Sequence, residues 1–272
     1  MNLFVVDEKK CKRCGSCVTD CPTSILTLNK PDIPMLIDGY EQRCINCGHC
    51  VAVCPYGAFS LNTMKVDQCQ LLHEGWKLTP EQIEQLIKGR RSIRHYKEQL
   101  VDRDILTKVI EIACYAPTGG NSQSENWLVI YDPKEVKRLA GLVIDWMRVI
   151  ANAETPLPMS YYFKPLVNAW DLGLDLICRN APHLIVAYAP KDAPMSASSC
   201  TIALTDLELA ALPFGLGTCW GGFVHMAMTN SPSLQEALDL PDGHQCFGAM
   251  MIGYPKFDYH RIPMRKMNIT WR

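Results

Sequence analysis

Two short stretches of this 272-residue chain concentrate cysteine thiols at a spacing that suits metal ligation. Each stretch reads CxxCxxCxxxCP, the first beginning at Cys11 and the second at Cys44. Corresponding cysteines are 33 residues apart in every case, so the motif is an internal repeat. Three thiolates at this spacing can surround one face of an iron–sulfur cubane. Structural zinc more often takes two separated CxxC pairs, so the repeat favours two 4Fe-4S clusters over two zinc sites.

The repeat resembles the two-cluster bacterial ferredoxins over residues 1–64. In those proteins the fourth cysteine of each motif ligates the cluster of the other motif. The resemblance therefore assigns the first cluster to Cys11, Cys14, Cys17 and Cys54, and the second cluster to Cys44, Cys47, Cys50 and Cys21. A segment this short has little apolar core of its own, so we expect the clusters to stabilise its fold.

Beyond residue 64 the pattern changes from cysteine repeats to helices and strands. Thr79, Pro80 and Gln82 have the spacing of a helix capping box, and Gly89 would end that helix. We therefore predict a linker at 65–78 and a second domain at 79–272. Strands are predicted at 127–132, 183–189 and 246–255, and further helices at 102–115, 133–150, 168–179 and 198–213. The predicted fold class is α+β, a small ferredoxin-like two-cluster domain followed by an α/β layered sandwich.

Three segments of the second domain have the chemistry to bind a phosphorylated planar cofactor. RRSIR at 90–94 concentrates guanidinium groups and a hydroxyl that suit a phosphate. APTGGNSQ at 116–123 offers hydroxyls and amides that suit the polar edge of a heterocycle. GLGTCWGGF at 215–223 is a glycine-rich turn whose backbone can approach a ring closely. Each segment alone is weak evidence, because arginine clusters, loops and tight connections are common.

Taken in this order, and with GYP and RIPMRK near the C-terminus, the segments resemble the nitroreductase family of FMN flavoproteins over residues 80–272. The resemblance implies a nitroreductase-like domain and a homodimer in which the 116–123 loop reaches the flavin of the second subunit. Many relatives have a proline where this chain has Ser124. The FMN contacts that the resemblance implies are Arg90, Arg91, Ser92, Arg94, Pro117, Thr118, Gly119, Asn121, Trp220, Gly221, Gly222, Arg265 and Lys266.

Composition narrows the classes of partner and compartment. The formal charge is −1, with 27 basic and 28 acidic residues, so nucleic acid is not an expected partner. The sequence contains no run of about 18 apolar residues and no export signal, which predicts a cytoplasmic protein without a membrane span. In a reducing compartment the 14 cysteines point to metal ligation rather than disulfides.

The ferredoxin-like and the nitroreductase-like domain together predict an iron–sulfur flavoprotein oxidoreductase. Clusters pass electrons singly and FMN stores two, so electrons from ferredoxin or another carrier would reduce a small organic acceptor of nitro, quinone or enone type. The catalytic residues stay unknown, and no side chain need act as a general acid because the cofactor carries the chemistry. Two alternatives stay open: an electron-transfer or redox-sensing module without a dedicated substrate, and an enzyme in which NAD(P)H as cosubstrate reduces FMN and the clusters export electrons.

Overall fold

The chain divides into two units of structure. A computed structural model describes residues 3–29, 31–152 and 160–272. The first unit ends at Lys77 and also contains Gly120–Ser122, and the second comprises Leu78–Gly119 and Gln123–Arg272. Most of the segment predicted as a linker thus groups with the first unit, where it forms 3₁₀ turns at Val66–Gln68 and Glu74–Trp76.

The first unit consists of two short sheets and two one-turn helices. The strand β1 pairs antiparallel with β4, and β2 pairs antiparallel with β3. In chain order the elements are β1 Phe4–Val6, α1 Ser16–Thr19, β2 Leu26–Thr27, β3 Met35–Leu36, a 3₁₀ turn at Glu41–Arg43, α2 His49–Ala52 and β4 Phe59–Leu61.

The two halves of this unit repeat in backbone conformation as well as in sequence. Gly15 and Gly48 precede the two helices and both adopt the left-handed region, with φ of 85° and 74°. Arg13 and Asn46 each directly precede the second cysteine of their motif. They also have positive φ, at 54° and 52°. Both halves therefore bend the chain in the same way between their first cysteines.

Few apolar side chains are buried in the first unit. Its core contains Ile25, Leu26, Val51, Phe59 and Leu61, with the Phe4 ring stacked on Phe59 at 4.7 Å between centroids. A core of this size provides little hydrophobic stabilisation for about 60 residues. Ligand binding at the cysteines must therefore contribute to folding.

The second unit is an antiparallel sheet with helices on both faces. The strand order is β5-β6-β8-β7, with all three pairings antiparallel. Its elements are α3 Pro80–Gly89, α4 Arg103–Ala113, β5 Asn126–Ile130, α5 Pro133–Ala151, α6 Ser160–Asp171, β6 His183–Pro190, α7 Ser196–Ala211, β7 Gly217–Trp220, α8 Gly222–Met228, α9 Pro232–Leu238 and β8 His244–Gly253.

The central strands are buried on both faces because their side chains alternate between two cores. Leu184 and Val186 of β6 join the core formed with α5, α6, α8 and α9. Ile185 and Ala187 join the core formed with α4 and α7. Since successive residues of a strand point to opposite faces, this alternation places the sheet between two helical layers. The predicted α/β layered sandwich is confirmed.

Several boundaries agree with the sequence and two do not. The capping box at Thr79 is present, because Thr79 Oγ1 accepts from Gln82 N and Gln82 Oε1 accepts from Thr79 N. The helix predicted at 168–179 is wrong: α6 ends at Asp171, and Gly173 follows with φ of 84°, which a helix does not allow. The glycine-rich segment predicted as a turn contains β7, whose single glycine, Gly217, reflects close packing.

Candidate functional site

Four cysteines from both motifs surround one cavity in the first unit. The cavity is lined by Cys11, Cys14, Cys17 and Cys54, with Tyr56, Ala58 and Phe59 among its walls. Cys54 comes from the second motif, and its Sγ accepts from Ala58 N at 3.3 Å. The structure thus brings together the four residues that the resemblance assigned to the first cluster.

A second cavity is lined by the other four cysteines, Cys21, Cys44, Cys47 and Cys50. Cys21 reaches it from the first motif, and Gly48 and His49 also line it. Ile25, Leu26 and Phe59 supply apolar walls. Each cavity therefore combines four thiols with a largely apolar lining, a donor set that fits a cubane cluster.

Two of the thiols in these cavities, one in each, have a raised pKa and so resist ionisation. Burial raises the pKa of Cys50 to about 12. Burial, and then the charge of Cys54, raises the pKa of Cys17 to about 11. Cluster binding would therefore release protons, because thiolates and not thiols are the ligands. Within the described ranges, no three His, Cys, Asp or Glu side chains lie close enough to hold a single metal ion.

In the second unit, the arginine-rich segment directly follows α3. Arg90, Arg91 and Ser92 are partly buried, whereas Arg94 is exposed. Ile93 N donates to Thr218 O at 2.8 Å, which fixes this segment along β7. Two of the three segments predicted to bind the flavin thus lie side by side.

One guanidinium of this segment is paired with a carboxylate that the sequence analysis missed. Arg90 Nη1 lies 3.0 Å from Glu208 Oε1, and Thr218 Oγ1 donates to the same oxygen at 3.2 Å. Glu208 is buried on α7. Its only sequence signal is a charged residue among the inward-facing apolar positions of a helix, where an acidic side chain needs a partner.

Arg179 is a second residue that the sequence did not indicate, and its charge acts on Cys219 of β7. Burial raises the pKa of the Cys219 thiol, and the charges of Arg94 and Arg179 oppose that effect. Arg179 has φ of 59°, and the preceding turn is held by Asp175, which accepts from Ile177 N, Cys178 N and Asn180 N. Both arginines are thus close enough to influence one thiol of the glycine-rich segment.

The glycines at 217, 221 and 222 differ in how closely their neighbours approach. A Cβ on Gly217 would collide with Ile93 and would lie 2.9 Å from Pro255. Gly221 N donates to Ala249 O at 2.8 Å, and Gly222 has open space where a Cβ would be. Trp220 at the strand end is 37% exposed and Gly222 is exposed, whereas Gly221 between them is buried.

The 116–123 loop is shared between the two units. Its base belongs to the second unit, where Gln123 N donates to Thr118 Oγ1 at 3.1 Å, and a Cβ on Gly119 would lie 2.5 Å from Met195. Its middle belongs to the first unit, where Asn121 Nδ2 donates to the carbonyls of Ile45 and Asn46, both at 3.1 Å. Pro117 is exposed.

The basic residues near the C-terminus lie after the last strand. Arg265 and Lys266 are exposed within a segment that has no regular secondary structure after β8. Their contact with a phosphate stays a prediction. A cleft of about 290 Å³ beside Arg90 and Arg91 is lined by residues of the same segment, including Phe257 and Tyr259.

The fold and these sites define a class of redox protein, one with a two-cluster ferredoxin unit and a helix-flanked antiparallel sheet that presents arginines and a glycine-rich edge. Comparison with known proteins then identifies the family. Residues 87–254 match the model of the nitroreductase family, and residues 10–59 match the model of a 4Fe-4S dicluster domain. The chain belongs to the nitroreductase family, and it is an oxidoreductase of that type with an iron–sulfur domain. The predicted combination of a nitroreductase domain with an N-terminal two-cluster ferredoxin domain is confirmed.

The individual relatives are distant in sequence, but the similarity extends over most of the length of each relative. A protein of Archaeoglobus fulgidus, provisionally named NADH dehydrogenase/NAD(P)H nitroreductase, is 26% identical over 65% of this chain and 87% of its own. The 5,6-dimethylbenzimidazole synthase of Rhodospirillum rubrum is 25% identical over 66% of this chain and 85% of its own. Among solved structures, a Bacteroides fragilis nitroreductase with bound FMN is similar at a TM-score of 0.58 and 19% identity, covering 70% of this chain and 98% of that one.

None of the helices in the described parts of the chain is long and apolar enough to cross a bilayer.

Proposed function

We propose that this chain is an iron–sulfur flavoprotein that uses single electrons to reduce an organic acceptor by two electrons. When bound, the two 4Fe-4S clusters supply one-electron transfer, and FMN supplies two-electron reduction of the acceptor. The observation that supports the proposal most strongly is the hydrogen bond from Ile93 N to Thr218 O, which sets the arginine segment against the glycine-rich segment.

The residues of the first unit would hold the clusters in the crossed arrangement. Cys11, Cys14, Cys17 and Cys54 line one cavity, and the remaining four cysteines of the motifs line the other. The apolar walls would limit water at the clusters, which lowers the local dielectric and influences the reduction potential.

The residues of the second unit would bind and orient FMN. Arg91, Ser92 and Arg94 offer charge-assisted and hydroxyl hydrogen bonds for the phosphate. The segment Trp220, Gly221 and Gly222 would contact the flat ring, and at Gly222 no side chain stands within 4 Å of where a Cβ would be. The base of the 116–123 loop would contact the flavin of a second copy of the chain, so a homodimer is part of the proposal.

The acceptor class is proposed to be a nitro, quinone or enone compound. The proposed test is an anaerobic screen in which the FMN is reduced first and acceptors of these three types are then added singly. Stoichiometric two-electron product from one class, with matching reoxidation of the flavin, supports an enzyme. Reoxidation by other electron carriers alone, without an organic product, would favour the electron-transfer module.

A nicotinamide cosubstrate is a second possible electron donor. The relative from Archaeoglobus fulgidus has NAD(P)H in its name, so NADH or NADPH could reduce the flavin of this chain directly. The same anaerobic preparation distinguishes the routes. Flavin bleaching by NAD(P)H in a variant that lacks a cluster, at the rate of the intact protein, supports direct reduction.

A further inference from the structure

The loop between Cys44 and Cys47 is held from outside its own motif. The carbonyls of Ile45 and Asn46 both accept from the Asn121 side-chain amide at 3.1 Å. The Thr63 hydroxyl donates to the side-chain oxygen of Asn46, so a side chain of the same loop is hydrogen-bonded as well. Asn121 lies 74 positions beyond Cys47, in the segment that groups with the first unit. A single amide therefore fixes two consecutive peptide groups between two predicted ligands of the second cluster.

The corresponding loop of the first motif is held differently. Arg13 occupies the position equivalent to Asn46 and has nearly the same φ, 54° against 52°. In the described part of the chain, Arg13 Nε is buried without a hydrogen-bond partner. The two cluster loops are thus alike in backbone conformation and unlike in what stabilises them.

We propose that Asn121 is a positioning residue for the second cluster and couples it to the flavin. The two bonds hold the Cys44–Cys47 loop, and cluster potential depends on hydrogen bonding and solvent exposure around the sulfurs. Asn121 is also continuous with Thr118 and Gln123, whose mutual hydrogen bond closes the base of the loop proposed to contact FMN. The coupling, which rests on the proposed function, predicts that FMN occupancy changes the second cluster's spectrum and leaves the first cluster's unchanged.

The test replaces Asn121 by residues that remove its donors in different ways. Asn121→Gly removes the amide and tolerates the φ of 55° at this position, so backbone strain does not confuse the result. Asn121→Asp keeps the shape and replaces the donor with a charged acceptor that repels both carbonyls. Asn126→Ala is the matched control, because the Asn126 amide donates locally to Ser124 O at 2.9 Å.

The readouts are the spectra and survival of each cluster in the full-length protein. Electron paramagnetic resonance of the reduced protein, recorded with and without FMN, reports the two clusters separately, and the signal absent from a Cys54→Ser variant marks the first one. Two lost hydrogen bonds should speed iron loss from the second cluster roughly tenfold in both Asn121 variants. The second cluster's response to FMN should also disappear, with the first cluster and the Asn126→Ala control unchanged.

Three results would overturn the proposal. The first is that both Asn121 variants keep the spectrum and the iron-loss rate of the second cluster. The second is an equal change in both clusters, which would indicate general loosening of the unit. The third is a fall in FMN content alone, which would return Asn121 to a direct flavin contact. Since the cluster readouts need no acceptor, failure of the proposed acceptor chemistry would leave these results interpretable.

Discussion

Arg90 and Glu208 form an ion pair that joins the segment after α3 to α7. The Nη1–Oε1 distance is 3.0 Å, and the carboxylate side chain is only 8% exposed. Because Thr218 also donates to this oxygen, the pair ties both elements to β7. A buried carboxylate that lost its cation would be strongly unfavourable. Arg90 is therefore largely neutralised by the protein, and we expect Arg91 and Arg94 to provide most of the charge for a phosphate.

Replacing Arg90 with alanine should mainly destabilise the fold. Removing one partner of a buried pair leaves an uncompensated charge, so the free energy of unfolding of the second unit should fall by about 3 kcal/mol. Chemical denaturation followed by circular dichroism measures this change. The double variant Arg90→Met, Glu208→Leu should recover most of the loss, because no buried charge is left unpaired. An unchanged denaturation midpoint in Arg90→Ala, with FMN lost, would instead make Arg90 the phosphate ligand.

Replacing Arg94 with alanine should mainly weaken FMN binding. Arg94 is exposed at the end of the segment, so its loss leaves no buried partner. A lost charge-assisted hydrogen bond of about 1.5–3 kcal/mol corresponds to a roughly 10- to 150-fold weaker Kd. Fluorescence titration of the apoprotein with FMN measures the affinity, and Arg138→Ala on α5 is a suitable surface control. Equal affinity in both variants would place the phosphate elsewhere.

Gly217 and Gly222 should respond oppositely to an added methyl group. Gly217→Ala drives a Cβ into Ile93 and Pro255, which are packed against β7, and should cost about 1–3 kcal/mol of stability and displace the arginine segment. Gly222→Ala meets open space at the first residue of α8 and should be neutral or slightly stabilising. Denaturation curves compare the stability of the two variants. Similar effects at both positions would mean that the close approach at Gly217 is not the reason for its glycine.

The crossed ligation predicts which cysteine variants fail together. The purified protein should contain about eight irons under anaerobic conditions. Cys54→Ser and Cys17→Ser should remove the same spectroscopic signal, although they belong to different motifs, and Cys21→Ser and Cys50→Ser should remove the other. Iron analysis and electron paramagnetic resonance measure both effects. Loss of one signal by Cys17→Ser and of the other by Cys54→Ser would contradict the crossing.

Buried His183 should make the second unit acid-sensitive. Its Nε2 accepts from Val101 N at 3.0 Å, and its Nδ1 lies 2.8 Å from Tyr131 O, a pattern that fits the neutral ring. Burial lowers the pKa of His183 below its ordinary value of 6.5. The unfolded chain therefore takes up the proton first, so stability is fully present above pH 6.5 and falls as the pH drops toward the folded-state pKa.

The loss is limited by the uptake of one proton, about 1.4 kcal/mol per pH unit. Denaturation midpoints of wild type and a His183→Gln variant, measured at pH 7.5 and 5.5, test the assignment. The variant should lose part of the pH dependence, and His260→Gln, an exposed position after β8, should retain all of it. The same acid sensitivity in His183→Gln would assign the effect to other groups.

The sequence predicted those features that depend on local spacing. The two cysteine motifs, the capping box at Thr79 and the buried strands all follow from patterns within a few residues. Glu208 and Arg179 were missed because their roles depend on contacts with residues far along the chain. Nothing near Glu208 in the sequence indicates that Arg90 faces it across the unit.

The limits of pattern reading are clearest at β7 and after α6. The glycines of 215–223 suggested a turn, but a strand packed closely against Ile93 needs glycine for the same lack of side-chain volume. The sequence predicted that the helix continues to residue 179, whereas Asp175 accepts three backbone hydrogen bonds and stabilises a turn. The first outcome is set by a tertiary contact and the second by local hydrogen bonds from the backbone to a side chain, and periodicity reports neither.

The central claim is that electrons from a one-electron donor reach FMN through the clusters. The most direct measurement is anaerobic stopped-flow absorbance of the full-length holoprotein mixed with a reduced one-electron carrier, compared with a Cys50→Ser variant that retains FMN. The account predicts cluster bleaching before flavin bleaching in the intact protein, and loss of flavin reduction in the variant while any NAD(P)H-driven reduction persists. Flavin reduction by the carrier at the same rate in both proteins would contradict the account.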